Sequence, residues 1–423
     1  MFYTEKERKT EIKGNYDVIV AGSGPAGMAA AVTAARNGAK TLLIEYCGDV
    51  GGVSTSGLMS HFTGTVNAKF YTEILTKMAQ RNPFRHDVSP TIDPEILKNI
   101  YMEMLDEAGV DLLLYTLVCY VIMEGNRLCG VITENKTGRF AYTAKVIIDA
   151  TGDGDVACKA GAEYTLGRED DHKMQPCTIM FKVGGVDTDK AVFPPSFETT
   201  VETPKGELQA LGKEKLPYPA GHVLLYPTTL PGVVTCNMTN CTEIDGTKAE
   251  DLTKATFTCR SQLEKIVAFL QEYAPGYENC YLLSSASLLG VRETRHFKGV
   301  KTLGEEDILS ARVFEDWVVR DAHFNFDIHN IEGAGLDKNG VQHEFKQEKG
   351  YTIPYGCLVP VAIDGLLLSG RNISGTHLAH SNFRAMPICV GIGEAGGAAA
   401  SIAVKTGCQV RDVPVAEIQK LLL

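Results

Sequence analysis

The chain has twelve cysteines but no Cys-x-x-Cys pair; the closest two, Cys236 and Cys241, are separated by four residues. That spacing argues against an iron–sulfur cluster, a zinc ribbon or a redox-active disulfide. Blocks of one charge sign are also lacking. The net charge of −11 is spread along the 423 residues, which favours solubility and offers no electrostatic footprint for nucleic acid. No uninterrupted apolar run reaches bilayer length: the longest, Pro387 to Val404, is dominated by Gly and Ala and contains Glu394, so it reads as a buried helix, and membrane insertion is not expected. The opening residues lack a basic, apolar, small-residue export pattern; Glu5 to Lys13 mixes charges like a solvated arm. A cytoplasmic setting is therefore expected, with the cysteines reduced and used as small buried hydrophobes. Internal repeats and low-complexity tracts are absent as well.

With 44% hydrophobic residues over this length, the chain can build two to three domains with substantial cores. The most informative stretch runs Asp17-Val18-Ile19-Val20-Ala21 into Gly22-Ser23-Gly24-Pro25-Ala26-Gly27 and then an alanine-rich helical pattern. This reads as strand, phosphate-cradling turn and helix. Gly22 permits the tight turn, Gly24 lets backbone approach a pyrophosphate, and Gly27 lets the helix sit close to the strand. The free amides and positive dipole at the helix start favour phosphate charge. A second strand, Lys40 to Ile44, ends in Glu45, where a carboxylate meets a ribose hydroxyl in dinucleotide sites.

A Gly/Ser/Thr-rich segment, Gly51 to Gly57, follows, then helical patterns over Asn67–Arg81 and Pro94–Ala108. From Asp111 to Ala150, β-branched runs alternate with turns at Glu124–Arg127 and Asn135–Arg139, a three-stranded antiparallel meander. Between about Gly167 and Gly350 the pattern changes to strand-like runs with connections such as Tyr218–Gly221, plus one amphipathic helix from Lys248 to Tyr273. Parallel-sheet vocabulary returns with Gly365–Gly370 and a helix from Pro387 to Thr406 that stops near Gly407. The expected architecture is α/β: a Rossmann-like dinucleotide domain of parallel sheet plus antiparallel meander, in two parts (1–166 and 351–423), with a mixed-sheet substrate domain (167–350) inserted.

The first fingerprint does not separate FAD from NAD, since both carry the same ADP half. Its N-terminal position, the meander and the glycine-rich strand-turn-helix near the end favour FAD. The chain resembles FAD-dependent oxidoreductases of the glutathione-reductase-like superfamily, and in particular the broad family related to succinate dehydrogenase and fumarate reductase flavoproteins. Four pieces carry the resemblance: Asp17–Glu45; the pair Gly51-Gly52; Val146–Asp155, with Ala150-Thr151-Gly152; and Ser369–Ser374 followed by Arg384–Pro387 and Gly391–Gly397. It implies cofactor contacts from Gly22, Ser23, Gly24, Pro25, Ala26, Gly27, Glu45, Gly51, Gly52, Val118, Ala150, Thr151, Gly152, Gly370, Arg371, Asn372, Met386 and Pro387. One departure stands out: many members have Gly-Asp at the closing turn, where this chain has Gly370-Arg371. Either Asn372 or Arg371 takes over part of the ribityl contact, or the phosphate side gains a cation.

Pro387 suits the first position of a helix, whose positive end would face the flavin edge that becomes negative on reduction. Glycines 391, 393, 396 and 397 are costly in a helix unless a cofactor ring or a crossing helix needs the space. Candidate catalytic residues fall in two clusters. In Gly290–His296, Arg292 or Arg295 would fix an anionic or polyhydroxylated substrate, with His296 beside them; the alternative is an internal Arg292/Glu293 ion-pair lattice joining the two domains. In Thr376–Arg384, His377, His380 and Arg384 would lie near the flavin's reactive edge as proton carriers, unless the imidazoles merely satisfy loop backbone. The His-x-x-His spacing has no evident third ligand, so no metal is expected. The expected activity is hydride transfer between a small polar substrate and FAD, by a dehydrogenase or reductase with an unidentified electron acceptor. Alternatives are a flavin monooxygenase and a flavoprotein using FAD structurally or in a non-redox reaction. Homo-oligomerisation is left open.

Overall fold

A computed structural model describes residues 1–194, 196, 199–337 and 346–423. Its centre is a seven-stranded sheet. The opening strand Glu11–Ala21 lies between Thr41–Ile44 and Gly138–Asp149, parallel to both, and Asp111–Leu113 extends the parallel edge. Val18 to Ala21 are wholly buried, the pattern of a strand covered on both faces. The long strand Gly138–Asp149 then forks. Its first half pairs antiparallel with Arg127–Asn135, which pairs with Leu117–Glu124 to complete the expected meander; its last residues pair in parallel with Leu366–Leu368.

Two helices on one side of this sheet set the position of the cleft. The helix Pro25–Arg36 packs against the closing helix Met386–Thr406, which ends on Gly407 in the left-handed region (φ 72°). The closing helix is long and apolar enough to cross a membrane, yet almost all of it is buried inside the protein. Its glycines have separate reasons. A Cβ at Gly393 would run into the Ala26 carbonyl, and one at Gly397 into the Ala30 carbonyl, so both serve the helix crossing; one at Gly391 would come within 2.9 Å of Val66 Cγ2. At Gly396 an added Cβ meets Ser369 Oγ at an ordinary 3.7 Å. Gly393→Val is therefore expected to cost about 3 kcal/mol or more of stability. Gly396→Ala should be neutral or stabilising by up to about 1 kcal/mol through helix propensity. Urea melts of the two variants check the pair. Glu394, the charge inside this apolar helix, accepts from the amides of Lys69 (3.1 Å) and Phe70 (3.2 Å), capping the helix Lys69–Arg81, whose own N-cap Ala68 has no side-chain acceptor.

The second region has its own core. A four-stranded antiparallel sheet runs Leu225–Pro227, Val234–Cys236, Phe181–Gly184, Tyr281–Ser285, and the helix Ala249–Tyr273 covers it through Leu263, Ile266 and Leu270. The helix Leu208–Lys215 was not apparent in the sequence. A three-stranded sheet, Tyr351–Pro354, Trp317–His323 and Thr65–Asn67, joins distant segments. Through it Val318, Val319, Ala322, Phe326 and Ile328 enter the core of the nucleotide domain. By packing, then, the separate core is built from hydrophobic residues between Phe181 and Cys280, while those from Phe297 to Ile328 join the core of the first and last parts of the chain.

Candidate active site

A cleft of about 340 Å³ opens along the carboxyl ends of the parallel strands, where ligands bind in open α/β sheets. One end is built by the opening turn. Gly22 has φ +91°, and a Cβ there would meet the Ala150 carbonyl at 2.5 Å, so the turn needs glycine. Gly27 is needed by the fold for the same reason, since a Cβ would strike the Gly22 carbonyl. A Cβ on Gly24 would meet nothing within 4 Å among the described residues: the cleft lies in front of it. Glu45 is buried, with Oε2 accepting from the Ser23 amide (2.8 Å) and hydroxyl (2.7 Å) and Oε1 from the Cys47 amide (2.9 Å).

The middle of the cleft is the Thr151–Gly154 turn. Fully buried Asp149 holds it, accepting from the Thr151 amide (3.1 Å), the Thr151 hydroxyl (2.7 Å) and the Ala157 amide (2.7 Å). Burial raises the Asp149 carboxyl above its usual range against these bonds. Asp153 ties three segments together: Oδ1 accepts from Arg371 Nη1 (2.7 Å) and Thr294 Oγ1 (2.6 Å), and its carbonyl accepts from Arg295 Nη1 (2.8 Å). Arg371 lines the cleft as a paired cation. Asn372 instead lies beneath the turn, donating to the Asp149 carbonyl (2.9 Å).

At the other end stand Ser369, Arg384, Met386 and Cys389, beside the start of the closing helix. Ser369 Oγ and Arg384 Nε are buried and, among the described residues, have no hydrogen-bond partner. Arg384 Nη2 donates to the Asp327 carboxylate (2.9 Å) and carbonyl (2.8 Å). Arg292 is buried nearby, donating to the Pro176 carbonyl (2.5 Å); burial, then the charge of Arg384, push its pKa down to about 10. Burial pushes the Cys389 thiol up to about 12, so it stays neutral.

Of the eighteen residues expected at the cofactor, Gly27, Gly51, Asn372 and Pro387 do not line the cleft; they shape the turns and helices that do. Of the six catalytic candidates, only Arg384 lines it. Arg295 pairs with Asp155 (3.0 Å) and donates to the Asp153 carbonyl, whereas the two members of the expected Arg292/Glu293 lattice turn to other partners, Arg292 to the Pro176 carbonyl and Glu293 to His296 and His377. His377 and His380 lie on a short helix, His377–Phe383, and are turned inward. His377 Nδ1 is 2.5 Å from Glu293 Oε1, which also meets His296 Nε2 at 2.8 Å. Burial favours a neutral Glu293, but the two imidazoles outweigh it and hold the carboxyl below the usual range. Sequence reasoning missed Asp153, Tyr46, Cys47 and the leucines 252, 288 and 289 at the cleft. Asp153 stood inside a quoted motif; the leucines gave no local signal.

These residues fit an extended dinucleotide. A glycine cradle faces open space, Glu45 is fixed at the second strand's end, and Ser369 and Arg384 at the far end each hold a buried polar atom without a partner among the described residues. The sequence profile of the FAD-dependent oxidoreductase family matches residues 17–422. Digeranylgeranylglycerophospholipid reductase 1 of Methanococcoides burtonii is 30% identical over 197 residues, 43% of this chain and 47% of that protein. Thiamine thiazole synthase of Methanococcus maripaludis is 30% identical over 164 residues, 36% of this chain and 60% of that protein. The chain thus spans about half the length of the curated relatives it matches. Among solved structures, the flavin-dependent brominase Bmp2 aligns with a TM-score of 0.51 at 12% identity, over 96% of this chain and 83% of that one. p-Nitrophenol 4-monooxygenase PnpA of Pseudomonas putida aligns with 0.50 at 10% identity, over 97% and 84%. Likeness at that identity shows a shared fold alone. The match over nearly the whole length, with the cleft geometry behind it, places this chain in the FAD-dependent oxidoreductase family, whose cofactor is FAD.

Proposed function

We propose that this protein transfers hydride between a small anionic substrate and FAD, and that it stands nearest the succinate dehydrogenase and fumarate reductase branch of the glutathione-reductase-like superfamily. The observation that carries this reading is the charge at the far end of the cleft: Arg384, which lines it and pairs with Asp327, and behind it the buried guanidinium of Arg292, whose charge acts on the same carboxylate. His329, beside Asp327, adds no charge at neutral pH, since burial and Arg292 push its pKa down to about 4. A substrate carboxylate or enolate would supply the missing negative charge and take the unpartnered N–H of Arg384. Bound FAD supplies the ring that takes up or gives back the hydride. The start of the closing helix turns its positive dipole toward that end and favours negative charge there. Gly22, Gly24, Glu45 and Gly52 hold the ADP half, and Arg371, fixed by Asp153, lies along the middle. His377 and His380 are not assigned proton transfer, because neither lines the cleft.

The test is the visible spectrum of purified protein under anaerobic conditions, with hydroxy acids added to the oxidised form and enoates to the previously reduced form. Bleaching by one hydroxy acid, or recovery of the flavin bands with one enoate, is expected. Response only to uncharged compounds would overturn the anionic class. A colourless protein that cannot be reconstituted with FAD would overturn the flavin reading itself.

A further inference from the structure

We propose that Glu293, His296 and His380 bind a divalent first-row metal ion, zinc or one of its neighbours, which ties the Gly290–His296 segment to the segment carrying Arg384. The three residues come from two distant parts of the chain. Each offers one ligand atom, and these atoms all lie within 4.8 Å of one another. Glu293 and His380 are 1% exposed and His296 is 8% exposed, so the cluster is interior.

Two further observations point to a ligand. The Nδ1 atoms of His296 and His380 are both buried, and neither has a hydrogen-bond partner among the described residues. A buried imidazole nitrogen without a partner is uncommon, and neutral imidazole is the commonest metal ligand. The rings also meet edge to face, with centroids 4.8 Å apart. Around a tetrahedral ion with bonds of ~2.1 Å, ligand atoms lie about 3.4 Å apart, so the widest pair must close by roughly 1.4 Å through ring rotation.

The surroundings resemble those of a supported metal ligand. His377 Nδ1 and the Gln175 amide (3.1 Å) hold the two oxygens of Glu293, the outer contacts that orient a ligating carboxylate. Two imidazoles and one carboxylate suit zinc, iron(II) or manganese(II), and the absence of sulfur separates this site from any assembled by the chain's cysteines. The consequence for the cleft is positional. His380 lies one helical turn before Arg384, whose amide donates to the His380 carbonyl (3.1 Å). An ion at His380 would fix the short helix from which Arg384 reaches the cleft.

The protein should be purified with its flavin and without a metal-affinity tag, and its metal content measured by mass spectrometry. About one equivalent per chain is expected, with zinc-edge X-ray absorption showing nitrogen and oxygen neighbours and imidazole outer-shell scattering. Glu293→Gln and His380→Ala should lose the metal. Should either variant fail to fold, the wild type alone decides: added zinc should raise its melting midpoint and a chelator should lower it. Less than about a tenth of an equivalent, with no zinc-dependent melting shift, overturns the proposal. Sulfur ligation, or equal metal in folded variants and wild type, does so too. None of these readings depends on substrate or on flavin bleaching, so the site stands or falls separately from the reaction proposed above.

Discussion

Gly24→Val is expected to yield a folded, colourless protein. Gly24 has φ −61° and ψ 179°, a conformation open to any residue, and an added Cβ would meet nothing within 4 Å among the described residues. The valine would stand in the cleft, where the pyrophosphate must approach backbone. The fold should lose about 1 kcal/mol, because glycine is the better N-cap. FAD affinity should fall by about a hundredfold or more, equivalent to roughly 2.8 kcal/mol. Flavin-to-protein ratio and a thermal melt of the apoprotein separate the two effects. Gly27→Val provides the contrast, since its Cβ would strike the Gly22 carbonyl and both flavin and fold should be lost. A Gly24→Val protein that keeps its full flavin would show that the dinucleotide does not lie over this turn.

The two glycines also mark what a sequence can say. The opening strand, turn and helix are local, and each step has its own chemical signal, so both the motif and the partner strand ending in Glu45 were readable. Helix Pro94–Ala108 was readable to the residue because Asp93 caps one end and Gly109 takes φ +70° at the other. The meander was readable from its alternation and turns. What was hidden depended on contacts between distant segments. Thr65–Asn67 becomes a strand only through Trp317–His323, some 250 residues away, so the expected helix from Asn67 begins at Lys69 instead. Glu394 looked like an interruption of an apolar run, and its role as a cap for another helix needed that helix in place.

The histidines show the same limit at the site. His377 and His380 sit between two flavin motifs, so proximity in sequence suggested proximity to the ring. In a seven-residue helix with six buried positions, however, no polar face announces which side meets solvent. Glu293, 84 residues earlier, decides the orientation by taking His377 as a partner. The same carboxylate also meets His296, so a single buried group joins the two clusters that the sequence presents separately.

Arg384→Gln tests the remaining catalytic candidate at the cleft. With Asp327, Arg384 forms a pair whose side chains are only 14% and 26% exposed. Removing one partner of a fully buried pair costs about 3–5 kcal/mol; the partial exposure of Asp327 reduces the expectation here to about 2 kcal/mol. The loss should depend on pH in a definite direction. Burial alone would raise the Asp327 carboxyl, but His329 and Arg384 outweigh it and hold it below the usual range. A depressed carboxyl contributes stability above its unfolded value near pH ~4, and that contribution disappears as pH falls through the lower folded value. The gap between wild type and variant should therefore be widest at neutral pH and narrow below about pH 4, as denaturant melts across that range would show. In catalysis, loss of a charge-assisted contact to the substrate anion should lower kcat/KM by about 10²–10³-fold, roughly 3–4 kcal/mol. Flavin content should change little, because the glycine cradle, Glu45 and Arg371 remain. Arg384→Lys should recover much of the stability but little of the activity, since an ammonium keeps the charge and loses the planar fork. Full activity in Arg384→Gln would leave the cation at this end of the cleft with a structural role only.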